Sequence, residues 1–214
     1  MFALTKLWTD SGSGPEGIAI TYVCTGPGVA PGWEGDEDTE LMTPVAGADP
    51  ALRRAIIEIP RYLNGRDRFL LHYRFARGGE HRNGISPVFT EEICAREVEY
   101  VDRDGWITEV RLLWSVNDWS APNWTQATLE GLNLELGATA AGHDIEGEGI
   151  ADNAIYELIQ TVPLPRRYVA KVWGPRGATV EYAYQLLRTN APMVDDEAQR
   201  WDNNHGRNFT LVLD

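Results

Sequence analysis

The chain has 214 residues, 43% of them hydrophobic, and a net charge of −13 with a pI near 4.7. That length and apolar content suffice for one large or two small packed domains and exclude disorder as the general state. The acidic balance, with 17 arginines and only Lys6 and Lys171 as lysines, excludes a nucleic-acid partner and makes a poor membrane surface.

No run of about 18 apolar residues occurs, so no helix is expected to span a membrane. The opening residues 1–10 lack the basic, apolar and small-residue regions of a signal peptide, and the expectation is a cytoplasmic protein. Cys24 and Cys94 have neither metal-ligand spacing nor a CxxC pattern and read as reduced thiols.

Along the chain, residues 18–23 form a first strand, followed by a Gly/Pro loop that reaches Trp33. Residues 50–56 are the best helical candidate, running into strand-like 57–59. Alternation then marks 69–75 as a strand, with another at 86–90 after a loop. In 107–116, Thr108, Val110, Leu112, Trp114 and Val116 alternate with the intervening residues, a period of two. A polar, turn-rich segment carrying Trp119 and Trp124 follows. Residues 152–158 are ambiguous between helix and strand, and 156–163 and 169–173 read as strands. Trp173 precedes a hairpin turn at 174–177 and is placed at a sandwich end. Residues 180–187 and 208–213 alternate again, and between them lies Arg200-Trp201-Asp202-Asn203-Asn204-His205-Gly206-Arg207-Asn208-Phe209.

The same order of elements occurs twice. Ile18 to Trp33 is 15 residues and Val110 to Trp124 is 14, which makes Trp33 the counterpart of Trp124. Phe69 to Phe89 is 20 residues and Val180 to Phe209 is 29, so the second copy carries a longer late loop. The fold expected is all-β: two tandem immunoglobulin-like antiparallel β-sandwich domains, 1–97 and 98–214. No Gly, Ser or Pro linker separates them near 94–100, which predicts rigid packing. The second half holds six of the eight tryptophans, so binding chemistry is expected there.

The flat indoles of Trp119 and Trp124 are suited to stacking on a sugar ring or on a protein surface. Amides match vicinal hydroxyls without charge, although Asn and Gly are also the residues that turns require. On the segments Val110-Arg111-Leu112-Leu113-Trp114-Ser115-Val116-Asn117-Asp118-Trp119 and Trp201-Asp202-Asn203-Asn204-His205-Gly206-Arg207-Asn208-Phe209, the second half resembles a starch- or glycogen-binding carbohydrate-binding module. That resemblance implies a sandwich that binds an α-glucan-like polysaccharide, with Trp119 as a stacking platform. It further implies an amide rim of Asn203, Asn204 and Asn208, with Trp201 as a partly buried anchor of that loop; Trp124 joins the candidate binding residues from its own place in the turn-rich segment. The first copy lacks the late loop and reads as degenerate, with no sugar site expected.

Trp114 lies on an apolar face and reads as core, as do Tyr182 and Tyr184 with their polar tips. His72, His81, His143 and His205 are scattered singly, no Gly-x-Ser-x-Gly occurs, and no carboxylate pair for glycoside hydrolysis is identifiable. The expectation is therefore no enzyme, no metal and no cofactor. A second reading stays open: an accessory or scaffolding subunit of a larger cytoplasmic complex, with protein partners or a homo-oligomer, reusing the sandwich as an assembly module.

Overall fold

Alternation sets the fold from the first residues. In β1 (Phe2–Thr9), Phe2, Leu4 and Lys6 are buried while the residues between them are not. The structure is a computed structural model that describes residues 1–9, 17–33, 37–49, 51–59, 67–77, 83–84, 86–103, 105, 107–132, 165–187 and 199–214. Every regular element among the described residues is a β-strand and every pairing is antiparallel, so the chain is all-β.

The strands form three sheets. β2 (Ile18–Thr25) lies between β3 (Asp38–Leu41) and β6 (Arg68–Arg77); β4 (Thr43–Pro44) lies on β5 (Leu52–Ile59), which pairs β1. β6 also carries β7 (Asn83–Gly84) and the long β8 (Phe89–Asp102). β9 (Glu109–Val116) pairs β10 (Asn123–Gln126), while β11 (Thr128–Leu132) pairs β12 (Arg166–Pro175), and β12 pairs β8. β13 (Thr179–Leu187) pairs β9 and holds both β14 (Gln199–Asp202) and β15 (Phe209–Val212) on its other edge. The resulting orders are β1-β5-β4, β10-β9-β13-β14 with β15, and β11-β12-β8-β6-β2-β3 with β7.

The helix expected at 50–56 is not formed: Leu52–Ile59 is β5, paired with β1 along its whole length. Leu52, Ala55, Ile56 and Ile59 satisfy helical spacing, yet the buried set is Ala55, Ile57 and Ile59, which is period two. The long-range partner β1 decides between the two patterns. The ambiguous 152–158, the strand expected at 156–163 and the histidines 81 and 143 lie outside the described residues.

Residues 97 and 98, between which a domain break was expected, are consecutive inside β8. This strand pairs β6 through 89–94 and β12 through 93–102. Phe89 and Ile93 face the core of the first half, whereas Val98, Tyr100 and Asp102 face that of the second. The neighbours Ile93 and Cys94 are both buried, on opposite faces, where the two cores overlap. The halves therefore share a strand rather than a linker.

The pairing scheme of the first half recurs. β3-β2-β6, with β6 edged by β7 and the start of β8, matches β10-β9-β13, with β13 edged by β14 and β15. The paired row Tyr22, Tyr73, Phe89 recurs as Trp114, Tyr182, Phe209, and Phe-Thr opens both β8 and β15. This register puts Thr39, not Trp33, at the position of Trp124, since Thr39 pairs Thr21 where Trp124 pairs Leu113.

One apolar cluster runs through both halves. Phe2 sits 6.1 Å from both Trp114 and Trp173, and Trp173 also meets Phe69 at 6.2 Å. Trp173 is thus core, not an end residue as its place before a turn suggested. The sheet edges of β1 and β10 are clamped by Asn123: its Oδ1 accepts from Ala3 N at 2.7 Å and its Nδ2 donates to Ala3 O at 3.1 Å. A cation is buried in the first core: Lys6 Nζ pairs with Glu91, lies 4.6 Å from the centre of the Tyr73 ring, and Tyr73 Oη donates to the same carboxylate at 2.5 Å. Burial pulls the Lys6 ammonium below its ordinary range against the opposing pull of Glu91.

Candidate functional site

The β9–β13 register sorts side chains cleanly. Val110, Leu112 and Trp114 pair with Leu186, Tyr184 and Tyr182 on the inner face, and Trp114 Nε1 donates to Thr125 Oγ1 at 3.0 Å. Tyr184 Oη donates to Glu99 O at 2.8 Å, so the buried Tyr184 belongs to the core with a satisfied tip, while Tyr182 is partly buried against the same cluster and hydrogen-bonded to Tyr184. The outer face is then fixed by parity. One outer row runs Trp124, Leu113, Ala183; the next runs Gln126, Arg111, Gln185, Trp201.

Trp124 on β10 and Trp201 on β14 stand on the two flanking strands, three strand spacings apart, or about 14 Å. Their indoles nevertheless lean together, with ring centres 5.8 Å apart and planes inclined at 51°. Beneath them Ala183 and Gln185, on the outer side of the sheet, are buried. The indoles stay wet: Trp124 is 47% exposed and Trp201 42%. Beside the pair opens a cleft of about 450 Å³ lined by Arg111, Trp124, Thr125, Gln126 and Gln185.

Trp119 reaches the same face from the β9–β10 loop. Its Nε1 donates to Glu181 Oε2 at 2.7 Å, and Glu181 belongs to the outer row of Ser115 and Thr210. The loop is tied by Asn117 at φ 62°, by Asp118 Oδ1 accepting from Ser120 N at 2.8 Å, and by Ser115 Oγ, whose one proton is shared between Asp118 O and Ala121 O. Trp119 is 37% exposed, so the hydrogen bond fixes the ring without covering it.

The structure thus brings Trp119, Trp124 and Trp201 onto one face. It puts Asn203, Asn204 and Asn208 in the loop that leaves Trp201, and gives two of their amides local work. Asn203 Oδ1 accepts from Gly206 N at 3.0 Å, and Asn204 Nδ2 donates to Asn208 O at 3.3 Å. Asn204, His205, Gly206 and Asn208 all have positive φ, between 52° and 87°, which Asn and Gly tolerate best. Arg111, Gln126 and Gln185 were not singled out from sequence. Their only signal is parity with Trp124 and Trp201 once the strand register is known.

His72 is buried between Thr25 Oγ1 and Thr90 Oγ1, each at 2.9 Å, and burial lowers its basicity. Among the described residues no group of three His, Cys, Asp or Glu side chains is placed to hold a metal ion, and no helix is long and apolar enough to cross a membrane. Cys24 and Cys94 are free thiols, and burial with the nearby Asp38 carboxylate pushes Cys24 up to about 12. Comparison with protein-family models, curated proteins and solved structures finds no match to this chain.

Proposed function

We propose that this chain is a non-catalytic carbohydrate-binding protein made of two copies of an immunoglobulin-like antiparallel sandwich. The second copy would hold a neutral α-glucan-like polysaccharide against its outer face. The observation that carries this reading is internal to the chain. At the register-equivalent positions, Trp124, Trp201, Gln185, Arg111 and Gln126 of the second half are Thr39, Gly84, Ala76, Ala19 and Leu41 in the first. The core row Tyr22, Tyr73 and Phe89 stays aromatic in the second half as Trp114, Tyr182 and Phe209. The fold therefore does not need exposed indoles at the positions of Trp124 and Trp201, and large aromatic side chains left in water on one face favour recognition.

The chemistry fits sugars. Indoles bind the apolar faces of pyranose rings, and Arg111, Gln126 and Gln185 offer donors and acceptors to hydroxyls in the adjoining cleft. An inclination of 51° between the rings suits a chain that curves, as α-linked glucans do, whereas a flat ribbon would call for coplanar rings. In the first half Trp33 lies under the Arg74 guanidinium, 4.5 Å from the ring centre, so its own chain occupies that face.

Stacking on an aromatic ring is worth about 1–3 kcal/mol by analogy with nucleobases, which gives a site of roughly millimolar to micromolar affinity. Trp124→Ala is expected to abolish retention in an amylopectin affinity gel, while Trp33→Ala leaves retention unchanged. Equal retention of wild type and Trp124→Ala would remove the sugar reading and leave the face to a protein partner.

A further inference from the structure

The indole cleft does not end at β10. A second cleft, about 330 Å³, is lined by Glu97, Gln126, Thr128, Glu130, Lys171 and Trp173 among others, and it shares Thr125 and Gln126 with the first. Only Ala127 separates β10 from β11, and Trp124, Gln126, Thr128 and Glu130 are all exposed along the run, as is Leu129 beside the register shift of β11 on β12. Six residues of extended chain cover about 20 Å, several times the width of one sugar ring.

We infer that the two clefts form one continuous track, so that the ligand is an extended neutral polysaccharide chain rather than a short sugar or a chain end. This rests on the sugar reading of the indole pair. The second cleft supplies polar groups that are already held in place. Lys171 Nζ pairs with Asp67 at 2.9 Å and Glu97 at 3.7 Å, and Glu130 accepts from Arg167 Nη1 at 3.1 Å. Its floor is the buried Val169, Ala170 and Trp173. Two carboxylates face one ammonium in that lining, and with the −13 charge of the whole chain this disfavours uronate or sulfated glycans and leaves uncharged hydroxyl-bearing chains as the fitting class.

The test is isothermal titration with maltotriose and with maltoheptaose, on the wild type and on Thr128→Arg, which fills the second cleft from an exposed position. Wild type should bind maltoheptaose about tenfold more tightly, the yield of one or two added hydrogen bonds. Thr128→Arg should keep the maltotriose affinity and lose the tenfold preference, and that retained affinity shows the variant is folded. Glu130→Ala repeats the comparison should the arginine disturb β11. Equal affinity for both lengths in wild type, or an undiminished preference in both variants, would overturn the track while leaving the indole site standing. No binding of either sugar would overturn both.

Discussion

Lys6 and Glu91 show what a single residue reveals when the chain contains its own comparison. A buried ammonium is tolerated only when paired and hydrogen-bonded, and Glu91 with Tyr73 supplies that partner. The register-equivalent of Glu91 is Leu211, since Glu91 pairs Leu71 where Leu211 pairs Val180. The same position is thus filled by an apolar side chain in the second half. Glu91→Leu alone should strand the cation and cost about 3 kcal/mol or more, whereas adding Lys6→Met should restore stability to within about 1 kcal/mol of wild type. Urea denaturation of the wild type, the two single variants and the double variant checks this. A double variant as unstable as Glu91→Leu would show that the pair is not self-contained. At this scale Trp114 was legible as core because its whole strand alternates, and the exposed Trp119 and Trp124 because indoles in a polar turn-rich segment have few partners. Arg111, Gln126 and Gln185 were not, because a polar residue on an outer strand face is the ordinary solvent-facing choice.

At the scale of elements, alternation located β2, β6, β9, β13, β15 and the end of β5 at 57–59, but not β1 or the start of β5. β1 is interrupted by its inward lysine, and β5 also fits a helical period until β1 pairs with it. The late loop shows the reverse limit. Its amides were assigned to a ligand through the resemblance, yet the turn alternative, equally visible in the sequence, is what Asn203 and Asn204 carry out. The Asn123 clamp belongs here too, because no local pattern announces a side chain that stands in for a ladder rung between two sheets. Asn123→Ala leaves Ala3 N and Ala3 O without these bonds and should cost about 1–3 kcal/mol. Hydrogen exchange should report it as faster exchange at Ala3 with β5–β1 pairing retained. Unchanged exchange at Ala3 would mean that the Asn123 clamp does not protect this edge of β1.

For the whole molecule, the duplicated order of elements was readable, but not how the copies join. A shared strand has no linker composition to betray it, and β8 reads as an ordinary alternating segment whose parity must change between its two halves. Sharing it joins the two halves in one apolar cluster, on which the sheet β10-β9-β13-β14 packs with its outer face exposed. On the matching face of the first half Trp33 lies under the Arg74 guanidinium, whereas Trp119, Trp124 and Trp201 stand exposed on that of the second. The most direct test is a nuclear magnetic resonance titration of the indole N–H signals with maltoheptaose. Signals of Trp124 and Trp201, and that of Trp119 held on Glu181, should move in a saturable way while those of the buried Trp114 and Trp173 stay in place. Saturation without any movement of Trp124 and Trp201, or movement confined to Trp33, would contradict the account.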